Sequence, residues 1–267
     1  MEPPVHIRAL QHDGELLAIA ADRAGLLAPV PSCPGWQVRD LLRHIGYVHS
    51  WATGYVRAQR PEMTSELTEA EQLRAGPADS ELIGWFLAGH AELVGALSAA
   101  DPAMYCWTFL DAPSPLAFWA RRQAHETAIH RADAELAGGH VTPFSADFAA
   151  DGIDELLLAF FGRDQDARAA DSEEQRPAAP RQVLLVRAAD IERDWRIALS
   201  PSGTRVISTS KLPAGAGASA DCTVAGPASA LYLLLWNRSD SALTGINVEG
   251  DDGLLTAWQA GIHVTWA

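Results

Sequence analysis

Glu126 and His130 stand one helical turn apart within the stretch Arg121–Glu135. At 100° per residue the two side chains leave a helix about 40° apart, stacked on one face. A carboxylate and an imidazole at that spacing can converge on one ion, and both are good ligands for zinc and other borderline divalent metals. The same face carries Arg122 and Asp133, flanked by Trp119 and Ile129. Asp133 is placed to orient a ligating histidine from behind. Arg122 is a candidate catalytic cation, with a solvent-facing arginine as the alternative. Glu and His at this spacing also occur as a weak pair on a solvated helix face, so the spacing alone leaves both readings open. The dipeptide His125–Glu126 looks like the start of HExxH, but the next histidine comes five residues later. That sets His125 and His130 roughly 140° apart, too far around the helix to share a metal.

His44 shifts the balance. It lies three residues after Leu41 and four before Val48, inside an apolar stripe. An imidazole buried there needs a partner; the alternative to a metal is a backbone carbonyl or a neighbouring side chain. His49, about 140° around the same helix, is expected on the surface or rim. Trp36 and Trp51, which bracket the segment, read as core, and His90, on a helix with Trp85 and Phe86, reads as structural. His44, Glu126 and His130 together make three ligands. Catalytic zinc keeps three protein ligands and an open position, whereas structural zinc fills all four. Two neutral imidazoles and one carboxylate leave a divalent ion with net positive charge, able to lower the pKa of a bound thiol or to activate water.

These side chains need long helices to hold them. Residues 6–27 predict a first helix with Leu10, Leu16, Leu17, Ile19, Ala20 and Leu26 on its apolar face. After a break at Pro31–Gly35, a second is predicted from about Trp36 to Gln59, with Val38, Leu41, Leu42, Ile45 and Val48 at helical period. An acidic, turn-rich stretch, Pro61–Pro77, precedes a third, which opens at Asp79 or Ser80 and carries Leu82, Trp85, Phe86, Leu93 and Leu97. The fourth opens at Ser114–Pro115, a cap followed by proline at the first helical position, and ends at Gly138–Gly139. Four such helices with modest loops predict a four-helix bundle. Beyond it the pattern changes. Asp147–Phe161 reads as another amphipathic helix, and 164–180 as an acidic linker. Short β-like runs follow at Gln182–Val186, Trp195–Leu199, Thr204–Ser208 and Cys222–Ala225, with a loop at Pro213–Ala220 and helices at Pro227–Trp236 and Gly253–Ala260. The expected fold is therefore α+β in two domains: a bundle over 1–145 and a smaller α+β domain over 146–267.

Composition narrows the partners. The formal charge of -14 repels phosphate backbones, so no nucleic-acid partner is expected. No run reaches the roughly 18 apolar residues of a membrane span, and Met1–Arg8 lacks a signal-peptide core. Cys33, Cys106 and Cys222 are far apart with no CxxC spacing, which argues against a disulfide framework and for a reducing, cytoplasmic setting. Cys33 and Cys106 read as packing residues; Trp107 and Trp119 are either core or pocket lining. A monomer or homodimer is expected.

The segments PGWQVRDLLRHIGYVHSW and RRQAHETAIHRADAE resemble the second and fourth helices of the DinB-like, mycothiol-dependent maleylpyruvate isomerase family, and TVAGPASALYLLLWNR resembles its C-terminal domain. The resemblance implies that His44, Glu126 and His130 hold a divalent metal, zinc by preference, at the bottom of a cleft that the C-terminal domain closes. It implies mycothiol as thiol cosubstrate and a small unsaturated, carboxylate-bearing electrophile as substrate. The metal-held thiolate would add to the alkene, permit rotation and leave; other relatives transfer the thiol. Arg238, which ends the C-terminal motif, would be the catalytic arginine, its alternative being a helix-end arginine favoured by the dipole. Family membership does not fix the substrate. A thiol-independent hydrolytic or biosynthetic enzyme, and a non-catalytic zinc-binding or regulatory module, stay open as alternatives.

Overall fold

Proline at the first two helical positions and glycine after the last set the bounds of the first helix. In the computed structural model, α1 spans Pro3–Ala24, with prolines where no N–H is needed and Gly25 at φ +85° ending it. The structure describes residues 1–63, 71, 76–161, 182–199, 205–210, 220–238 and 245–261. Most of the acidic stretch Pro61–Pro77, the linker 164–180 and all but the last residue of the loop Pro213–Ala220 lie outside them.

The second helix, α2, spans Val38–Ala58. Gln37 and Asp40 cap it reciprocally, each side chain serving the other's backbone N–H, which moves the start two residues past Trp36. A single 3₁₀ turn at Asp79–Glu81 leads into α3, Leu82–Ala99. The fourth helix, α4, spans Pro115–Ala137. The Ser114 hydroxyl accepts from the Ala117 N–H at 3.1 Å, Pro115 follows, and Gly139 at φ +82° turns the chain away.

These helices form the first of two compact units, Met1–Thr142. Around the bundle the order is α1–α3–α2–α4, so α2 and α4 are neighbours and α1 and α2 lie on a diagonal. Leu17, Leu41, Leu42, Ile45, Leu82 and Phe86 meet in its core. By length and composition the segment Asp79–Ala99 would suit a membrane span. Here its Leu82, Phe86, Leu93 and Leu97 are buried inside the bundle. The third and second helices approach closely because Gly46 leaves room: a Cβ there would fall 2.2 Å from Cζ3 of Trp85. Gly14 does the same for α1 and α3, where the His90 ring occupies the space.

Helix α4 departs from the amphipathic pattern. Nearly every residue from Leu116 to Glu135 is buried, charged ones included. Buried charges must be paired, and these are. Arg131 faces Asp13 at 3.4 Å and donates to the Thr142 carbonyl at 2.8 Å, while Glu135 accepts from the Thr142 N–H and hydroxyl.

The second unit is Pro143–Ala267. Helix α5, Ala146–Asp154, runs on into a π-helical turn at Glu155–Phe160. The strands β1 (Gln182–Ala188), β2 (Arg193–Leu199), β3 (Arg205–Ser210), β4 (Cys222–Gly226) and β5 (Asn247–Gly250) form one mixed sheet in the order β3-β2-β1-β4-β5. Among the described residues only the β1–β4 pair is parallel; Leu184 faces Cys222 there. Three consecutive buried residues, Leu184, Leu185 and Val186, show that both faces of β1 are covered. Helices α6 (Ala228–Leu235) and α7 (Gly253–Gly261) pack on β1 and β4. The unit is α+β, as the sequence predicts, with β5 as a strand the sequence reading lacks.

Candidate metal centre

His44 of α2 and the pair Glu126 and His130 of α4 meet where the two helices lie side by side. The three residues are 8%, 4% and 7% exposed. His130 Nε2 lies 3.3 Å and His44 Nε2 3.5 Å from the same oxygen, Oε1 of Glu126. One ligand atom from each falls within 4.8 Å of the others. The imidazole rings stand edge to face, with centroids 5.1 Å apart.

Each of these groups is held by a second residue. The Arg122 Nη2 donates to Glu126 Oε2 at 2.9 Å. His130 Nδ1 lies 2.8 Å from Asp133 Oδ2. A carboxylate only accepts, so Nδ1 carries the hydrogen and Nε2 is the nitrogen turned to the centre. Asp133 is itself anchored by the Ser32 hydroxyl, which donates to Oδ1. The edge of Trp36 rests against His44, with ring centroids 5.2 Å apart.

The electrostatics follow from burial and pairing. Burial pushes the Glu126 carboxyl up, but His130, His44 and the Arg122 charge outweigh it and hold it well below the usual carboxylate range. Burial likewise depresses His130, yet the carboxylates of Asp133 and Glu126 win and bring its pKa up to about 9. Glu126 is thus a buried anion. Its Oε1 makes no regular hydrogen bond despite the two nearby nitrogens. In the metal-free chain the protonated His130 is the cation beside that oxygen, and a divalent ion bound there would take over its role.

That oxygen is the test of whether a metal fits, and it does. Two imidazole nitrogens and a carboxylate oxygen converging within 4.8 Å are a donor set for zinc or a similar divalent ion. No fourth His, Cys, Asp or Glu joins this set among the described residues.

The remaining residues singled out from the sequence have varied surroundings. Arg122 is fully buried and spends its guanidinium on Glu126, so it is neither on the surface nor turned outward. Arg238 is in the second unit, in the turn after α6, where its Nη1 donates to the Trp236 carbonyl at 2.8 Å. His49 is not at a rim: it is completely buried, bonded through Nε2 to the Thr127 hydroxyl at 2.8 Å and packed on Phe86 and His90. Burial, with His90 beside it, holds its pKa well below the usual imidazole range. The reason is the bundle order, in which α3 covers the side of α2 that one helix's periodicity would leave to solvent. Trp119 is core, stacked on Tyr55 at 5.2 Å. Its Nε1 points to buried Cys106, whose thiol burial pushes up. Ser32 and its bond to Asp133 had no signal in the sequence, because the partners lie 101 positions apart.

Residues 7–135 match the mycothiol maleylpyruvate isomerase N-terminal domain, and residues 147–257 match the MDMPI C-terminal domain. No curated protein matches the chain by sequence. Two solved structures share the fold: the mycothiol-dependent maleylpyruvate isomerase and a histidine-to-alanine mutant of it. The first superposes with a TM-score of 0.58 and the mutant with 0.60. Each is 13% identical, and each comparison covers 93% of this chain and 93% of the other.

Proposed function

Since the chain belongs to the mycothiol maleylpyruvate isomerase family, we propose that it is a metal- and thiol-dependent isomerase, or a thiol S-transferase, acting on a small unsaturated electrophile. The observation that carries this reading is the buried oxygen Oε1 of Glu126, faced by the Nε2 atoms of His44 and His130. Zinc is the ion this donor set suits best, and mycothiol is the thiol that the family's name points to.

When bound, such an ion supplies Lewis acidity, lowering the pKa of a thiol so that it reacts as thiolate at neutral pH. The chain's own residues do the positioning. With an ion bound, His44 and His130 would present neutral nitrogens, His130 giving up the Nε2 proton that its raised pKa otherwise holds, and Glu126 would present one charge, so the ligand set would cancel only half of a divalent ion's charge. Arg122 takes up the second oxygen of Glu126 and keeps Oε1 directed at the imidazoles. Asp133 fixes the tautomer of His130. Burial of all three ligands keeps bulk water from competing at their donor atoms.

Held at such a centre by His44, Glu126 and His130, a mycothiol thiolate would supply a nucleophile that adds reversibly to the alkene, allowing rotation about the former double bond before the thiol is released unchanged. Arg238 is the candidate to grip a substrate carboxylate, a task that the guanidinium fork suits. The cytoplasm, where low-molecular-weight thiols stay reduced, is the compartment in which we place the reaction.

Turnover of maleylpyruvate, followed with and without zinc and with and without mycothiol, tests the proposal. The expected result is turnover only when both are present, lost in His44→Ala and Glu126→Ala. Retention of metal and activity in both variants contradicts it.

A further inference from the structure

The loop between the first two helices reaches the metal centre at two points, and its backbone explains how. Val30 N–H donates to the Trp36 carbonyl at 2.9 Å, Cys33 N–H to Val30 at 3.1 Å, and Trp36 N–H to Cys33 at 3.0 Å. Pro29 and Gln37 pair just outside, and Gly35 takes φ +89°, which a residue with a side chain rarely adopts. The turn Val30–Trp36 is therefore closed by main-chain bonds. Its side chains are left over for other work. One end rests the Trp36 ring against His44. The other directs the Ser32 hydroxyl at Asp133 Oδ1, whose second oxygen accepts from His130 Nδ1.

We propose that Ser32 and Asp133 are positioning residues for His130, and that the Val30–Trp36 turn is the element that presents this imidazole to the metal. The inference rests on the metal-centre reading above. Asp133 has a carboxylate with two rotational positions, and a single bond from His130 would not fix it. The Val30–Trp36 turn ties down both oxygens, the Ser32 hydroxyl donating to Oδ1 and the Cys33 thiol reaching Oδ2 at 3.8 Å, so the carboxylate, and with it the plane and tautomer of the His130 ring, is held from a second element. A ligand ring held this way loses less freedom when it binds an ion and keeps its Nε2 lone pair on line. Asp133 is completely buried, so the Ser32 hydroxyl has no water to compete with for Oδ1.

The test is zinc affinity, measured by competition with a chromogenic chelator, together with the visible spectrum of the cobalt-substituted protein. Ser32→Ala, Ser32→Thr and Asp133→Asn are compared with the parent chain. Ser32→Ala removes only the hydroxyl and leaves the main-chain bonds of the turn. It is expected to weaken zinc about 10-fold, Asp133→Asn between about 10- and 100-fold, and both to shift the cobalt bands, while Ser32→Thr restores parent behaviour. Parent affinity and an unchanged spectrum in both Ser32→Ala and Asp133→Asn would overturn the proposal. So would a loss in Ser32→Ala that Ser32→Thr does not rescue, because the hydroxyl would then not be the cause. A parent chain that takes up neither zinc nor cobalt defeats the metal-centre reading itself, a separate result from either of these.

Discussion

Arg122 and Glu126 form a wholly buried ion pair in which Nη2 meets Oε2 at 2.9 Å while the other carboxylate oxygen faces two imidazoles. One side of a metal ligand is thus neutralised by the protein and the other is kept for a cation. This explains how a helix with so much buried charge is stable: Arg122, Glu126, Arg131, Asp133 and Glu135 of α4 each have a partner.

Removing that partner has a calculable consequence. Arg122→Met fills similar volume but strands the Glu126 charge, and breaking a buried pair this way costs about 3–5 kcal/mol. Urea unfolding of the metal-free variant should show a loss of that order, with part of it recovered on adding zinc, because the ion supplies the missing positive charge. A loss under about 1 kcal/mol would mean that Arg122 does not compensate Glu126.

Asp13 gives a pH signature. Burial raises its pKa to about 6, against the opposing pull of Arg131 and His12. A carboxyl whose folded pKa is raised contributes stability that is fully present below its unfolded value and is lost as pH rises through the folded one. Between pH 4 and pH 7.5 the parent chain should therefore lose about 1–3 kcal/mol relative to Asp13→Asn, which does not titrate. Denaturant unfolding of both proteins at the two pH values checks this. A difference between them that does not change with pH contradicts it.

Gly46 tests the helix spacing that brings α2 to its place. Its missing Cβ is replaced by the Trp85 ring. Gly46→Ala should destabilise the bundle by about 1–3 kcal/mol through overpacking, even though alanine is the better helix former. It lies two residues from His44, so zinc affinity should fall as well. Gly84→Ala, where nothing lies within 4 Å of the new methyl, is the control and should be neutral or slightly stabilising.

How much of this was legible beforehand depended on range. The cap at Ser114–Pro115, the stop at Gly138–Gly139 and the helical period of Leu41, Leu42 and Ile45 are local, and local rules found them. The three residues His44, Glu126 and His130 were legible because one turn of helix joins two of them, and because an imidazole inside an apolar stripe needs a partner. What one helix cannot reveal is which other helix covers it. His49 reads as exposed until α3 is laid over it, and Arg122 reads as a surface or substrate-facing cation until α4 is found buried on nearly all sides. The bond from Ser32 to Asp133 links two elements with no shared pattern. Strand β5, four residues with one half-buried position, has too little alternation to be seen.

The measurement that reaches the central claim most directly is the electronic spectrum of the cobalt-substituted protein as mycothiol is added. If His44, Glu126 and His130 hold a metal with a position open to the thiol, cobalt loads in about one equivalent. A sulfur-to-cobalt charge-transfer band then grows with mycothiol, and Glu126→Ala shows neither the loading nor the band. A chain that loads cobalt at this centre but shows no such band at saturating mycothiol, or a Glu126→Ala variant that behaves as the parent does, would contradict the account.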